Sequence, residues 1–348
     1  CLFFVRPSLA MEIVKDGKPL ATIVAVKQLP PDAQASYSPS FRGDDDEGEK
    51  PKRKKGAGRG EGETVSGEGP DREAVGLLNS WIQKMTGTVL PVADKAPAGQ
   101  PAIYVGYAAI QAGLKLDDIQ SSTREGVRIR SDGERILIAG QRNAATVKAV
   151  CRFLEEFGCR VFMDGEIGED YPSLKTLAIA KLDITEKPGM MFRNPKGPSW
   201  GSTAWKTWNG AGGIPFSHSH SWGGYVPEVL AKDHPEYFAL NKDGKRPSSG
   251  WLCTSNPDLR KYFSDQIIAT IKRGGRNPSL SPTDGTAYCQ CPACKAQDNP
   301  KAIEPSSGRI AMTDRYVDFF SDVARKVATV YPDSILSFYC YADYTQPP

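Results

Sequence analysis

The sequence predicts an α/β protein made of two domains, and three features lead to that prediction. The chain has 348 residues, a length that two domains accommodate better than one. Charged residues make up 24% of the chain and apolar residues 39%, proportions that are typical of globular proteins. Short strand-like runs alternate with longer segments of helical periodicity, and this order is typical of folds with parallel strands and connecting helices.

The first predicted domain covers residues 1–184 and is a small α/β unit. Residues 12–28 predict two strands around a turn at Asp16–Gly17. Asp71 is placed to cap a helix whose apolar residues, from Ala74 to Met85, follow helical spacing. Further strands are predicted at 102–106, 127–131 and 135–140, and a second helix follows and ends at Gly158.

Two segments of this domain have a different composition. Residues 43–70 mix both charge signs and contain almost no apolar residues, so they cannot bury enough surface to offset the entropy of ordering. They predict a disordered insertion. The first ten residues, CLFFVRPSLA, form an apolar run ending in small residues, which fits either the remnant of a signal peptide or an ordinary first strand. The first interpretation predicts a secreted, periplasmic or cell-surface protein.

Net charge and hydropathy limit the partners. The formal charge is +3 and the basic residues are spread along the chain, which argues against a nucleic-acid partner. No apolar run approaches the roughly 18 residues needed to span a membrane. No organic cofactor is expected, and a structural zinc ion is the one candidate. The sequence leaves the oligomeric state open.

The second predicted domain covers residues 185–348 and repeats a strand–helix order. Helices are predicted from Pro257 to about Arg273 and from about 311 to 331, with strands before, between and after them. Catalytic residues of parallel α/β folds gather where the strands end. Asp284, His220 and Tyr341 each fall at or just after such an end.

Two acidic residues are candidates for catalysis. Asp284 follows a predicted central strand in the sequence Ser-Pro-Thr-Asp-Gly, although an Asp before Gly is also a common turn residue. Glu304 lies in the loop before the long helix and is the more ambiguous of the two.

Histidine and aromatic residues are candidates for substrate binding. His218 and His220 alternate in FSHSHSW, so on a strand they would face one side, either as metal ligands or as hydrogen-bond donors to a polar ligand. A neighbouring loop is rich in Trp, Gly and Ser, a composition that fits the packing of sugar rings on aromatic side chains, or else a core cluster. The aromatic candidates are Trp208, Trp222, Tyr341 and Tyr344.

Three closely spaced cysteines follow Asp284. Cys289, Cys291 and Cys294 provide three thiols, and Cys253 is available as the fourth ligand of a zinc ion. The same residues would form disulfides in an exported protein, or remain as reduced structural thiols. The spacing alone leaves all three interpretations open.

Several motifs resemble known glycosidases. The segment 135–162, RILIAGQRNAATVKAVCRFLEEFGCRVF, resembles the small α/β domain that precedes the barrel in alpha-glucuronidases and beta-hexosaminidases. The second half resembles a bacterial family of formerly unknown function that is related to those enzymes and includes endo-beta-N-acetylglucosaminidases acting on complex N-glycans. The motifs that carry this second resemblance are His220 with Pro227, HPEYFAL with DGKR, LCTSNP, SPTDG followed by CQCPAC, Glu304 with Ser306-Ser307-Gly308, and YTQPP.

The resemblance implies a (β/α)8 barrel of the TIM type, of which this chain holds roughly the first half. It also implies that Asp284 faces the substrate, as a catalytic acid or by orienting an acetamido group, and that the cysteines stabilise the loop behind it. The expected activity is hydrolysis of glycans that contain N-acetylhexosamine or uronate, by paired carboxyl groups or by acetamido assistance. The alternatives are a non-catalytic carbohydrate-binding protein on the same scaffold and a zinc-dependent hydrolase.

Overall fold

The computed structural model describes residues 10–37, 68–194, 203–214 and 217–347. The chain forms two compact units, Cys1–Ile214 and Pro215–Pro348, so the first unit extends beyond the predicted boundary at residue 184. The first unit includes these additional residues because a strand at Phe192–Arg193 pairs with one at Gly212–Gly213. Residues 1–9, Trp200 and all but the last three residues of the predicted insertion 43–70 lie outside the described residues.

The first unit contains most of the regular secondary structure. Its strands are β1 Met11–Lys15, β2 Lys18–Pro19, β3 Thr22–Val24, β4 Val92–Ala93, β5 Ala102–Val105, β6 Val127–Ser131, β7 Arg135–Gly140, β8 Arg160–Val161, β9 Glu169–Asp170, β10 Leu177–Ile179, β11 Asp183–Glu186, β12 Phe192–Arg193 and β13 Gly212–Gly213. Its helices are α1 Pro31–Tyr37, α2 Arg72–Thr86, α3 Tyr107–Gln111, α4 Asn143–Glu155 and α5 Thr203–Trp208.

A mixed six-stranded sheet organises this unit, in the order β11-β6-β7-β5-β3-β4. The pairs β3–β4, β3–β5 and β5–β7 are parallel, whereas β6 pairs antiparallel with both β7 and β11. A separate antiparallel sheet joins β10, β1 and β2. The predicted hairpin at Asp16–Gly17 is present between β1 and β2, and both turn residues have positive φ, as tight two-residue turns require.

Helices α2 and α4 cover the six-stranded sheet with aliphatic side chains. Leu78 and Ile82 of α2 and Phe153 of α4 are fully buried with Ile103 and Ile138 of the sheet. These residues recur at the helical and strand periods that the sequence shows. The α/β character predicted for this part of the chain is therefore confirmed.

Asp71 precedes α2 as predicted, but its side chain makes no capping hydrogen bond to that helix. Its carboxylate instead accepts hydrogen bonds from the Tyr107 backbone N–H at 3.0 Å and from the Tyr37 hydroxyl at 2.8 Å. Gly106 allows this approach, because a Cβ there would lie 2.1 Å from the carboxylate and because its φ is +64°. The prediction that the Asp71 side chain caps α2 was therefore wrong, because this side chain binds Tyr107 and Tyr37 instead.

The second unit has helices but little regular sheet. Its α-helices are α6 Trp222–Tyr225, α7 Pro257–Lys272, α8 Pro292–Lys295 and α9 Thr313–Ala328, with short 3₁₀ turns at Glu228–Lys232 and Pro235–Tyr237. Asn256 caps α7, since its side-chain oxygen accepts hydrogen bonds from the Asp258 and Leu259 backbone N–H groups at 2.9 Å. The two long helices confirm the prediction from periodicity, with α9 shorter at both ends.

Three extended segments lie side by side in this unit: residues 217–221, 277–283 and 335–341. The backbone N–H groups of Ser217 and Ser221 donate to Asn277 and Ser281, and the Leu280 N–H donates to Ser337. In the first pairing the residue numbers rise together, and in the second Ser279 and Ser337 form a parallel bridge, so the three segments are parallel. Since α7 and α9 connect them in chain order, the unit has the strand–helix–strand–helix–strand order that the sequence predicts. Residues 217–347 as described form no closed barrel.

None of the helices in the described ranges is both long enough and apolar enough to cross a membrane.

Candidate functional site

Buried serines hold the three extended segments in register. The Ser221 hydroxyl donates to the Ser279 carbonyl at 2.7 Å, and the Ser279 hydroxyl donates to the Ser219 carbonyl at 2.8 Å. The Tyr339 backbone N–H donates to the Ser281 hydroxyl at 3.0 Å. Ser279 and Ser281 are fully buried. These bonds fix where the three segments end, and the side chains beyond them therefore meet at one edge.

His220 and Asp284 come together at this edge. The His220 Nδ1 atom lies 2.6 Å from the Pro282 carbonyl oxygen, which can only accept, so Nδ1 carries a hydrogen. The opposite ring atom, Nε2, faces the Asp284 Oδ1 atom at 3.7 Å. In the neutral imidazole Nε2 then carries no hydrogen and is an acceptor.

Asp284 is open to solvent, whereas His220 is partly covered. The Asp284 side chain is 70% exposed and that of His220 is 35% exposed. Asp284 Oδ1 accepts from the Gly285 N–H at 2.9 Å, a local bond that holds the carboxylate at the start of its loop. Thr283 fixes the same loop, because its hydroxyl donates to the Gly250 carbonyl at 2.7 Å. A carboxylate supported in this way remains accessible to a ligand.

Two tyrosines form an aromatic wall beside His220. The ring centroids of Tyr339 and Tyr341 lie 5.2 and 6.0 Å from that of His220, and 6.3 Å from each other. Tyr339 also donates its hydroxyl to the His218 carbonyl, and 46% of Tyr341 is exposed. The predicted residues His220, Asp284 and Tyr341 are thus brought together, and we call these three with Tyr339 the His220–Asp284 site.

Glu304 does not join this site as a second free carboxylate. It is 2% exposed, and its oxygens accept from the Thr345 hydroxyl at 2.7 Å and the Ser306 hydroxyl at 3.1 Å. The Thr345 and Ser306 hydrogen bonds lower its pKa, with Thr345 the larger cause. No hydrogen bond or ion pair connects Glu304 with Asp284 within residues 217–347. Its contacts fit a role in anchoring the loop before α9 to Thr345.

Two of the predicted aromatic contacts belong to the core instead. Trp222 is fully buried, and its indole N–H donates to the Leu280 carbonyl at 2.8 Å. Its ring packs edge-on against Trp251, Phe263, Tyr316 and Phe319. Tyr344 is 3% exposed and packs against Tyr316 at 5.1 Å. Neither ring has a free face for a sugar, so a direct substrate contact by these residues is corrected to a packing role.

Trp208 lies in the first unit, at the end of α5. Its ring packs on Trp81 of α2 with 4.6 Å between centroids. It also borders a cavity of about 610 Å³, together with Glu125, Lys148 and Arg193. The surroundings of Trp208 differ from those of the His220–Asp284 site, since several charged side chains of both signs line this cavity.

The four predicted cysteines converge on one point. The Sγ atoms of Cys253, Cys289, Cys291 and Cys294 all lie within 4.8 Å of one another, and all four residues are buried. The cluster connects the segment before α7 with the segment that follows Asp284. Within the described part of the chain, no cysteine forms a disulfide.

Tyr339 and the buried serines are the site residues that the sequence analysis missed. Tyr339 and Tyr341 are two positions apart on one extended segment, and a period of two would have placed both rings on the same side. The serines alternate in SHSHS and SLS with the same period. Polar alternation in a predicted central segment was therefore an available signal for side chains that bind neighbouring backbones.

Comparison with known proteins shows the family. A family model described as "Domain of unknown function (DUF4838)" matches residues 163–348, more than half of the chain, so the chain belongs to this family. No curated protein matches the chain.

Similar solved structures include two Streptomyces enzymes. The Streptomyces plicatus N-acetyl-beta-hexosaminidase in complex with Thio-NAglucal shares 14% identity with a TM-score of 0.34, over 74% of this chain and 57% of that one. The GH20 beta-N-acetylhexosaminidase of Streptomyces coelicolor A3(2) shares 14% identity with a TM-score of 0.31, over 74% of this chain and 58% of that one. These scores are too low to establish a common fold, and the chain spans less than two thirds of either enzyme.

Proposed function

We propose that the second unit carries the acid–base site of a glycoside hydrolase that acts on glycans containing N-acetylhexosamine. The observation that carries this proposal is the His220–Asp284 site. It combines an exposed carboxylate, a histidine with a fixed tautomer and a wall of two tyrosine rings at the ends of three parallel segments. The sequence motifs that resemble glycosidases, SPTDG above all, fall in the same place. An exported location, and completion of a barrel by further strands, belong to the same proposal.

Each group of the site has a role in this proposal. Asp284 would donate a proton to the glycosidic oxygen or orient the acetamido group of the substrate. His220, held by Pro282 and 3.7 Å from Asp284, would exchange a proton with that carboxyl group between steps. The rings of Tyr339 and Tyr341 would pack against the apolar face of a sugar, while their hydroxyls and His220 bind its polar groups.

The contacts of the site favour an acetamido sugar over a uronate. A uronate carboxylate needs a cationic partner, because an unpaired charge beside Asp284 would repel it. Within the described part of the second unit, none of these four side chains forms a hydrogen bond or an ion pair with a lysine or an arginine. A neutral N-acetylhexosamine carries no such requirement, and its N–H group is a donor that suits a carboxylate acceptor.

Turnover assays with an aryl N-acetyl-β-glucosaminide and with a glycoprotein bearing complex N-glycans test the proposal. Asp284→Asn should lower turnover by roughly two to four orders of magnitude, the usual contribution of a positioned acid or base. Its melting temperature should stay at the wild-type value, since the Asp284 side chain is largely exposed. Asp333→Asn, which removes an exposed carboxylate elsewhere in the same unit, is the matched control and should retain full turnover.

Two results would contradict the proposal. Full turnover by Asp284→Asn would remove this residue from the chemistry. Binding of the N-glycan by the wild-type protein without any hydrolysis would identify the chain as a carbohydrate-binding protein instead.

A further inference from the structure

We propose that the four cysteines Cys253, Cys289, Cys291 and Cys294 bind one zinc ion, and that this site is structural and not catalytic. The three interpretations of the sequence make different geometric demands. A disulfide requires two sulfurs about 2.05 Å apart, in separate pairs. Zinc requires four sulfurs that surround a single point. Unliganded thiols require neither arrangement.

The distances between sulfur atoms match the zinc geometry. Tetrahedral zinc with Zn–S bonds of about 2.3 Å separates its thiolates by roughly 3.8 Å. The Cys253 Sγ atom lies 3.7 Å from that of Cys291 and 3.9 Å from that of Cys294. No pair among the four exceeds 4.8 Å. The set is therefore one group of four, and it does not divide into two separate pairs.

Backbone N–H groups point at two of the sulfurs, as they do where thiolates are stabilised. The Cys294 N–H donates to Cys291 Sγ at 3.4 Å, across the Cys-Pro-Ala-Cys turn that begins α8. The Leu240 N–H donates to Cys289 Sγ at 3.3 Å. Such hydrogen bonds to ligand sulfurs orient them and reduce the charge that each one bears.

A cation and a hydroxyl complete the surroundings of the cluster. The Arg315 guanidinium donates to the Cys289 carbonyl at 2.9 Å. Ser255 Oγ lies 3.1 Å from Cys294 Sγ and 3.6 Å from Cys291 Sγ. A zinc ion with four thiolates has a net charge of −2, and these groups offset part of it.

The burial of the ligands decides between a structural and a catalytic ion. Each of the four cysteines is at most 8% exposed. Four protein thiolates fill the tetrahedral coordination, whereas a catalytic zinc keeps one position open for water or substrate. The cluster therefore does not serve a zinc-dependent hydrolase. It links the residues before α7 to the loop that starts five residues after Asp284, and so stabilises the base of that loop.

Metal analysis of the full chain, purified without chelators, tests this proposal independently of glycan turnover. We expect one zinc per chain, released in full when a mercurial reagent modifies the thiols. The cobalt-substituted protein should show the intense visible and thiolate charge-transfer bands of tetrahedral sulfur coordination. Cys253→Ser and Cys294→Ser should lose the metal, whereas Cys151→Ala, a buried thiol of the first unit, should retain it.

Where a variant does not fold, the wild-type protein alone still decides the matter. Reduced, metal-free protein should rebind zinc at one ion per chain, and a failure to bind would overturn the proposal. Disulfides among these four residues in alkylated, non-reduced protein would overturn it as well. A loss of glycan hydrolysis with zinc still bound would count only against the proposed function.

Discussion

The two units of this chain are stabilised by different means. In the first unit, strands form a continuous sheet, and aliphatic residues of α2 and α4 cover it. In the second unit, the core is largely aromatic around Trp222, and serine hydroxyls and the cysteine cluster connect the backbone segments. The sheet distributes stability over many similar bonds, whereas the second unit depends on a few side chains. Single substitutions should therefore have larger effects there.

Loss of the cysteine cluster should have the largest effect. Binding of a structural zinc by four cysteines contributes on the order of 10 kcal/mol to folding. Cys294→Ala should therefore abolish amide protection of α7 and α9 while α2 and α4 stay protected, as measured by hydrogen–deuterium exchange of the full chain. Cys151→Ala, the matched control in α4, should leave the protection of both units close to that of the wild type. Equal loss of protection in both units would contradict the comparison.

Removal of the Trp222 ring should have the next largest effect. Trp222→Ala leaves a cavity among four aromatic neighbours, which costs about 3–5 kcal/mol. Trp222→Phe should cost less, because it keeps an aromatic ring and loses mainly the hydrogen bond to the Leu280 carbonyl. Denaturant unfolding followed by fluorescence measures both. A cost below 1 kcal/mol for the alanine variant would show that Trp222 is not central to this core.

In the first unit, Glu125 is the centre of a buried cluster of charges. This cluster allows the effect of a single substitution to be tested in that unit. Glu125 is 2% exposed and its carboxylate meets Lys148 at 2.5 Å, Arg193 at 2.7 Å and Arg142 at 3.3 Å. Burial raises its pKa, but the hydrogen bonds from Arg193 and Lys148 outweigh burial and lower it to about 2. Burial lowers the pKa of Lys148, and repulsion by Arg193 and Arg142 adds to this shift, whereas Glu125 opposes it.

Glu125→Gln should destabilise the first unit by about 3 kcal/mol, because it leaves buried cations without a counter-charge. In the wild-type protein the folded pKa lies below the unfolded value of 4.5. The stability from Glu125 is thus complete above pH 4.5 and is lost as the pH falls towards 2. Unfolding of wild type and variant at several pH values checks this. The two curves should converge in acid, and a constant difference down to pH 2 would contradict the assignment.

Short-range sequence patterns were sufficient to predict the helices and turns. They were insufficient to predict which side chains belong to the candidate site and which are buried. The turn at Asp16–Gly17 and the start of α7 at Pro257 depend on residues close in sequence, and both predictions are confirmed. The burial of Trp222 depends on side chains from three distant segments, so its Gly- and Ser-rich flanks wrongly indicated a pocket. Glu304 and Asp284 look alike as loop carboxylates, but Glu304 is buried and accepts a hydrogen bond from Thr345, 41 residues away, whereas Asp284 is exposed.

The cysteine cluster could be predicted from the sequence only in part. The spacing of Cys289, Cys291 and Cys294 was visible, but it could not show whether Cys253 approaches them. That approach requires the bond from the Cys253 N–H to the Tyr237 carbonyl and the packing of α7. The positions of the predicted strand ends placed His220, Asp284 and Tyr341 at one edge, and the structure brings these three residues together there, because the parallel order follows from the alternation of elements.

The smallest expected effect on stability is that of replacing Asp71 in the first unit. The pKa of Asp71 is shifted in the opposite direction to that of Glu125. Burial raises the pKa of Asp71 to about 6, although hydrogen bonds from Tyr107 and Tyr37 oppose the shift. Because this folded pKa exceeds the unfolded value of 3.8, the contribution of Asp71 to stability is complete below pH 3.8 and is lost as the pH rises through 6. At pH 7.5 the buried charge therefore destabilises the wild-type protein.

Asp71→Asn should remove this cost and keep an acceptor for the Tyr107 N–H. A shift of roughly two pKa units sets an upper bound of about 3 kcal/mol, and we expect a gain of about 1–2 kcal/mol at pH 7.5 that disappears near pH 4. Asp94→Asn is the control, since that exposed carboxylate of the same unit forms an exposed ion pair with Lys27 at 3.6 Å, and its replacement should change stability little at either pH. Destabilisation by Asp71→Asn at pH 7.5 would mean that the ionised carboxylate is required by Tyr37 and Tyr107. In that case buried carboxylates would stabilise the first unit at both positions, and the contrast between Asp71 and Glu125 would be wrong.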